Sequence, residues 1–127
     1  MTTNDAPRAV VAGHGSFAYG LISAVDQITG MGHRLTPVSN TGLGPAGIDA
    51  AIREALVTSG ARVVFTDLPA GSCTACVRRI NKMSPDLVLV TGVTLPTLLA
   101  FVMGASVEEA VAKGHEALVS VEPPRGA

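Results

Sequence analysis

The sequence predicts an α/β fold: a doubly wound, mainly parallel open sheet with helices on both faces. Three observations carry this expectation. Short, β-rich apolar runs alternate with stretches of helical periodicity along the whole chain. Right-handed crossovers between parallel strands place the intervening helices on both faces of such a sheet. The chain has 127 residues, close to the commonest size of one domain, so a single core is expected over 1–127, with 1–8 and 122–127 frayed.

Ala9 to Gly13 (AVVAG) is the first strand, ending on glycine. Phe17, Leu21, Ala24 and Ile28 then recur at helical spacing until Gly30. Leu35 to Ser39 reads as a second strand, and Pro37 assigns it to a sheet edge because proline removes a ladder donor. His33 is expected to open it. Pro45 to Ser59 carries Ile48, Ile52, Ala55 and Leu56 on one face and an Asp49–Arg53 pair at i,i+4, with Gly60 where a helix should stop. Arg62 to Leu68 (RVVFTDL) is the third strand, followed by a helix from Ser72 to Met83 with Cys76, Ile80 and Met83 at helical spacing. Leu87 to Val93 (LVLVTGV) is a continuous apolar run of the kind a strand buried on both faces shows. An apolar helix over Pro96 to Met103 follows it. Ser106 with Glu109 three residues on is a capping-box signature for a last helix reaching about Val119, which contains His115.

Composition removes several classes of function. A net charge of −1 with 15% charged residues supplies no basic field for nucleic acid or an acidic membrane surface. No uncharged apolar run reaches the roughly 18–20 residues that span a bilayer. Met1 to Arg8 is polar and lacks the apolar stretch of a signal peptide, so a cytoplasmic protein is expected. Two cysteines three apart, Cys73 and Cys76, cannot form the disulfide framework of a small secreted domain.

In open α/β sheets ligands sit beyond the carboxyl ends of the strands. Gly13-His14-Gly15-Ser16 follows the first strand and Asp67-Leu68-Pro69-Ala70-Gly71-Ser72 the third, each just before a helix N-terminus. Glycines on both sides of His14 let the backbone turn sharply and leave the ring reachable, while exposed N–H groups at a helix start favour an anion. Neutral imidazole is a competent nucleophile near pH 7, and a carboxylate on its other nitrogen fixes the tautomer and stabilises the cation formed on attack. Asp67 is the candidate for that carboxylate. Ser72 and nearby backbone amides are candidates to bind phosphoryl oxygens. A structural histidine capping a helix has the same local spacing, and Asp67 alone also suits a helix cap.

These segments resemble the mannose-family enzyme IIA domains of the bacterial phosphoenolpyruvate-dependent sugar phosphotransferase system. VVAGHGSFAYGL is similar to the family's strand-Gly-His-Gly opening. VVFTDLPAGSCTACVRRI is similar to its strand, Asp, small-residue loop and Ser or Thr before a helix. VLVTGVTLPTLLAFV is similar to its strand, Gly, polar residue and apolar helix. The resemblance implies a homodimeric phosphotransferase component that takes phosphate from HPr on His14 and passes it to a IIB domain. Carbohydrate uptake through a membrane permease complex would follow. It implies Asp67 as the orienting carboxylate, with Gly15, Ser16, Gly71 and Ser72 holding the phosphoryl group and no metal or other cofactor. The family's two glycines, Ser or Thr, then Pro are here Ala70, Gly71, Ser72 and Cys73. Related phosphocarriers also serve dihydroxyacetone kinase.

Other chemistries suit parts of the sequence. Gly13, Gly15 and Ala18 satisfy a G-x-G-x-x-G/A pattern, so a small nucleotide-binding module is an alternative. It lacks the acidic residue expected about 20 positions on, since none stands between Gln27 and Ile48. Cys73-Thr74-Ala75-Cys76 is a C-x-x-C at a helix start, without the second pair a structural zinc site needs. Arg78, Arg79 and Lys82 form a basic patch that reads as a solvated face or as a dock for an acidic partner.

Overall fold

A computed structural model describes residues 6–124. The elements are β1 (Ala9–Gly13), α1 (Phe17–Thr29), β2 (Leu35–Ser39), α2 (Pro45–Ser59), β3 (Val63–Thr66), α3 (Ser72–Met83), β4 (Val88–Val90), α4 (Leu95–Val102) and α5 (Val107–Ala117). All strands are parallel in the order β2-β1-β3-β4, with Val10 level with both Thr36 and Val64, and Val64 level with Leu89.

Successive side chains of a strand point to opposite faces, and both faces of this sheet are covered. Val10, Ala12 and Val64 pack with Ile48 and Ile52 of α2 and Val77 and Ile80 of α3. Ala9, Val11 and Phe65 pack with Val25 of α1, Leu98 and Phe101 of α4 and Ala110 of α5. Phe65 and Phe101 meet edge to face at 5.2 Å. Each fully buried side chain of this size contributes about 1.5–3 kcal/mol, so the near-absence of polar residues along β1 is what places it at the centre. The doubly wound architecture and the edge position of β2 are as the sequence predicts.

The differences have local causes. β3 stops at Thr66, and beyond it the chain turns, with the Leu68 carbonyl accepting from the Thr74 hydroxyl. β4 has three residues and lies at an edge, paired only with β3, and Val88 is 40% exposed. The expectation of a strand buried on both faces over Leu87 to Val93 is therefore corrected. His33 lies in a 3-10 turn, Gly32–Arg34, before β2. Ala18 and Val25 are the buried residues of α1, which leaves Ile28 exposed, as Met83 is on α3. α5 ends at Ala117, and the apolar Leu118 and Val119 beyond it face outward. Of the ends expected to fray, 1–5 and 125–127 lie outside the described residues, and 6–8 and 122–124 have no regular structure.

From β1 the chain crosses to β2 on one side and then returns to β3 on the other. The connection after β1 runs outward to β2 and the one after β3 runs the other way to β4, which opens a crevice at the carboxyl ends of β1 and β3, the position where such sheets bind ligands.

Candidate functional site

His14 follows β1 and Asp67 follows β3, so the parallel register brings two residues 53 positions apart to one point. Asp67 Oδ2 accepts from the His14 backbone N–H at 2.9 Å and lies 2.7 Å from His14 Nδ1. The imidazole is half exposed at 51% while the carboxylate is 9% exposed, so the ring reaches solvent and its partner does not. Asp67 Oδ1 is buried without a hydrogen-bond partner among the described residues. Burial pushes the Asp67 carboxyl upward, but the side-chain and backbone hydrogen bonds and the charge of His14 outweigh it and hold the group below its ordinary value. An ionised carboxylate only accepts, so Nδ1 carries the proton in the neutral ring and Nε2 carries the free lone pair.

The glycines make this approach sterically feasible. A Cβ on Gly13 would stand 2.8 Å from Phe17 Cδ2 and 3.0 Å from the Asp67 carboxylate, so only glycine lets the carboxylate lie against the strand end. Gly15 has φ 54°, the left-handed turn that carries the chain from His14 into α1. Its carbonyl accepts from the Ser39 hydroxyl at 2.8 Å. Ser16 is the N-cap of α1, and its hydroxyl makes no capping bond.

On the other side of the crevice Gly71 is the N-cap of α3, and a Cβ there would lie 3.3 Å from His14 Cε1. The imidazole thus sits over the start of α3, whose first N–H groups have no partners within the helix and carry the positive end of its dipole. Ser72, the first residue of α3, is exposed there, and its Oγ accepts from Asn40 Nδ2 at 3.0 Å. The loop is fixed from below by buried Thr74, whose hydroxyl pairs with Thr66 at 2.6 Å and also bonds the Leu68 carbonyl. A groove of about 320 Å³ lined by Asn40, Leu43, Pro45, Ile48, Ser72 and Arg79 leads away from the site.

The geometry sets a half-exposed imidazole against a buried carboxylate, beside the start of a helix. A family model described as PTS system fructose IIA component matches residues 8–119. The chain belongs to the PTS fructose IIA family. As a IIA component it is a phosphocarrier of a sugar phosphotransferase system, and membership implies interaction with HPr and IIB components. The fold is shared with solved structures. One is a PTS IIA protein associated with the fucose utilization operon from Streptococcus pneumoniae (TM-score 0.80, 20% identity, 89% of this chain and 91% of that chain). A second is a mannose/sorbose specific IIA subunit from Enterococcus faecalis (TM-score 0.78, 18% identity, 95% and 98%). A third is the phosphotransferase component EIIA from Streptococcus agalactiae (TM-score 0.74, 20% identity, 89% and 95%). No curated protein matches the chain in sequence.

The other motifs of this IIA component have structural accounts. Cys73 and Cys76 are both buried in the α3 face of the core. Burial, with the Asp49 charge, pushes the Cys76 thiol up to about 11, and burial with the Asp67 charge raises Cys73, which is the reverse of an activated thiolate. β2 ends at Ser39 and is followed by Asn40-Thr41, without the carboxylate of a dinucleotide site. Among the described residues no group of three or more His, Cys, Asp or Glu could hold a metal ion, and no helix is long and apolar enough to cross a membrane. Arg78, Arg79 and Lys82 are exposed. Asn40, Thr66 and Thr74 are the site residues the sequence reading does not single out.

Proposed function

We propose that His14 Nε2 is the atom that carries the phosphoryl group. The observation that carries this reading is the pairing of Nδ1 with Asp67 at 2.7 Å, which leaves Nε2 as the free nucleophile on a half-exposed ring. The Nε2 lone pair attacks phosphorus as the P–N bond to the donor phosphohistidine of HPr breaks, and that electron pair stays on the donor imidazole. No proton has to move, because Nδ1–H remains bonded to Asp67 throughout. Asp67 balances the positive charge that grows on the ring. The Ser72 hydroxyl and the first N–H groups of α3 face the charge that spreads over the phosphoryl oxygens, with Gly71 giving the ring its clearance. Gly15 and Ser16, at the start of α1, complete the phosphoryl-binding set.

The same chemistry in reverse delivers the group to a IIB domain, and through it to a membrane sugar permease complex, from the cytoplasmic side. Homodimerisation is supported by two features of the surface. β2 is closed to further pairing at Pro37, whereas β4 presents an open edge, and the exposed apolar Leu118, Val119 and Val121 follow α5. A cleft lined by Val90, Val93, Val111 and Leu118 joins that edge to the end of α5.

The test is incubation with phosphoenolpyruvate, enzyme I and HPr. An acid-labile, base-stable phosphate is expected on the wild type and none on His14→Ala. Absence of label on the wild type refutes carriage from HPr. Delivery to a dihydroxyacetone-kinase partner instead of a IIB domain would reassign the acceptor and leave the chemistry intact.

A further inference from the structure

Asn40 stands immediately after β2 and is held at both backbone groups. Its N–H donates to the Gly13 carbonyl at 3.1 Å, and its carbonyl accepts from Leu43 at 3.0 Å. The residue is therefore anchored one position from His14, while its side chain crosses to α3 and donates from Nδ2 to Ser72 Oγ at 3.0 Å. A hydroxyl has one proton and two acceptor lone pairs. With one lone pair engaged by Asn40, the Ser72 proton is directed away from Asn40. The buried Cys73 thiol, next in the sequence, also lies within hydrogen-bond reach of the Ser72 hydroxyl.

We infer that Asn40 is a positioning residue for phosphoryl transfer. It fixes the Ser72 hydroxyl as a donor toward the phosphoryl group on His14. The inference rests on the phosphocarrier reading and adds to it a residue that acts through Ser72. A preorganised donor is worth most where charge develops, so Asn40 acts on the transfer step more than on docking of the phosphoryl donor. Its backbone bonds to Gly13 and Leu43 do not depend on the side chain, so its replacement leaves the loop in place.

The experiment is rapid-quench transfer from phosphorylated HPr, varied up to saturation, to the wild type, Asn40→Ala, Asn40→Asp, Ser72→Ala and the Asn40→Ala/Ser72→Ala double variant. Asn40→Ala is expected to slow the saturated step about 5- to 10-fold, the scale of one neutral hydrogen bond, with the half-saturating donor concentration unchanged. Ser72→Ala is expected to lose on the order of 10²-fold, and the double variant no more than Ser72→Ala alone. Asn40→Asp keeps the shape but accepts the Ser72 proton and adds a charge, so it should be slower than Asn40→Ala. The phosphohistidine ³¹P resonance should move in the same direction in Asn40→Ala and Ser72→Ala. A wild-type rate for Asn40→Ala, or losses that multiply in the double variant, would overturn the assignment. A wild type that takes no phosphate removes the carrier reading itself, and this inference with it.

Discussion

On the proposed reading, a single carboxylate oxygen sets the chemistry of His14. Oδ2 of Asp67 meets both the backbone N–H and Nδ1 of the same residue, so the carboxylate sets the ring's tautomer as well as its direction. Asp67→Asn replaces an acceptor by a group that can donate to Nδ1, which moves the proton onto Nε2. Transfer measured by quench flow is expected to fall on the order of 10³- to 10⁴-fold, the scale of tautomer inversion in catalytic triads. Stability should follow acid in a defined sense. The folded Asp67 sits below its ordinary value of 3.8, so its contribution is complete above that value and is lost as pH falls through the lower folded one. The unfolding free energies of wild type and Asp67→Asn, compared in urea melts, should converge below about pH 4. A gap that widens in acid would contradict the assignment. His14, Asp67 and Ser72 are legible in the sequence because their side chains carry recognisable chemistry at strand ends. Asn40 is not, since an asparagine after a strand reads as a turn former, and its role depends on a partner 32 residues away.

At the scale of elements, what was legible is what is encoded locally. The capping box is present in full: Ser106 Oγ accepts from the Glu109 N–H at 3.1 Å, and the Ser106 N–H donates to Glu109 Oε1 at 2.9 Å. Ser106→Ala should cost about 1 kcal/mol, seen as a lower urea midpoint at constant slope. The tight crossing of α4 and α5 is encoded non-locally. A Cβ on Gly114 would fall 2.1 Å from Thr97 Oγ1 and 3.4 Å from its Cβ, and a β-branched side chain in a helix has little rotamer freedom with which to yield. Gly114→Ala should destabilise by about 1–3 kcal/mol by the same measurement, and an unchanged midpoint would show that the crossing can relax. The exposed edge of β4 is another non-local property, because an apolar run has the same pattern in the middle of a sheet as at its side.

For the whole molecule, strand and helix order was enough to predict a doubly wound sheet, but neighbour relations came from the crossovers. The two edges differ in kind: Pro37 interrupts the donors of β2, while β4 has none of the usual guards except its brevity. Sedimentation equilibrium is expected to give a dimer, and Val88→Lys, a charge on the open edge, a monomer. A wild-type monomer at every concentration would remove the dimer. The double grip of Asp67 on His14 has a consequence for motion. With the backbone held at its amide and the ring at Nδ1, one ring orientation is favoured, so the proposed phosphoryl group on Nε2 is presented in one direction and not on a freely swinging arm. On the proposed reading, donor and acceptor must therefore each come in turn to the same exposed ring edge.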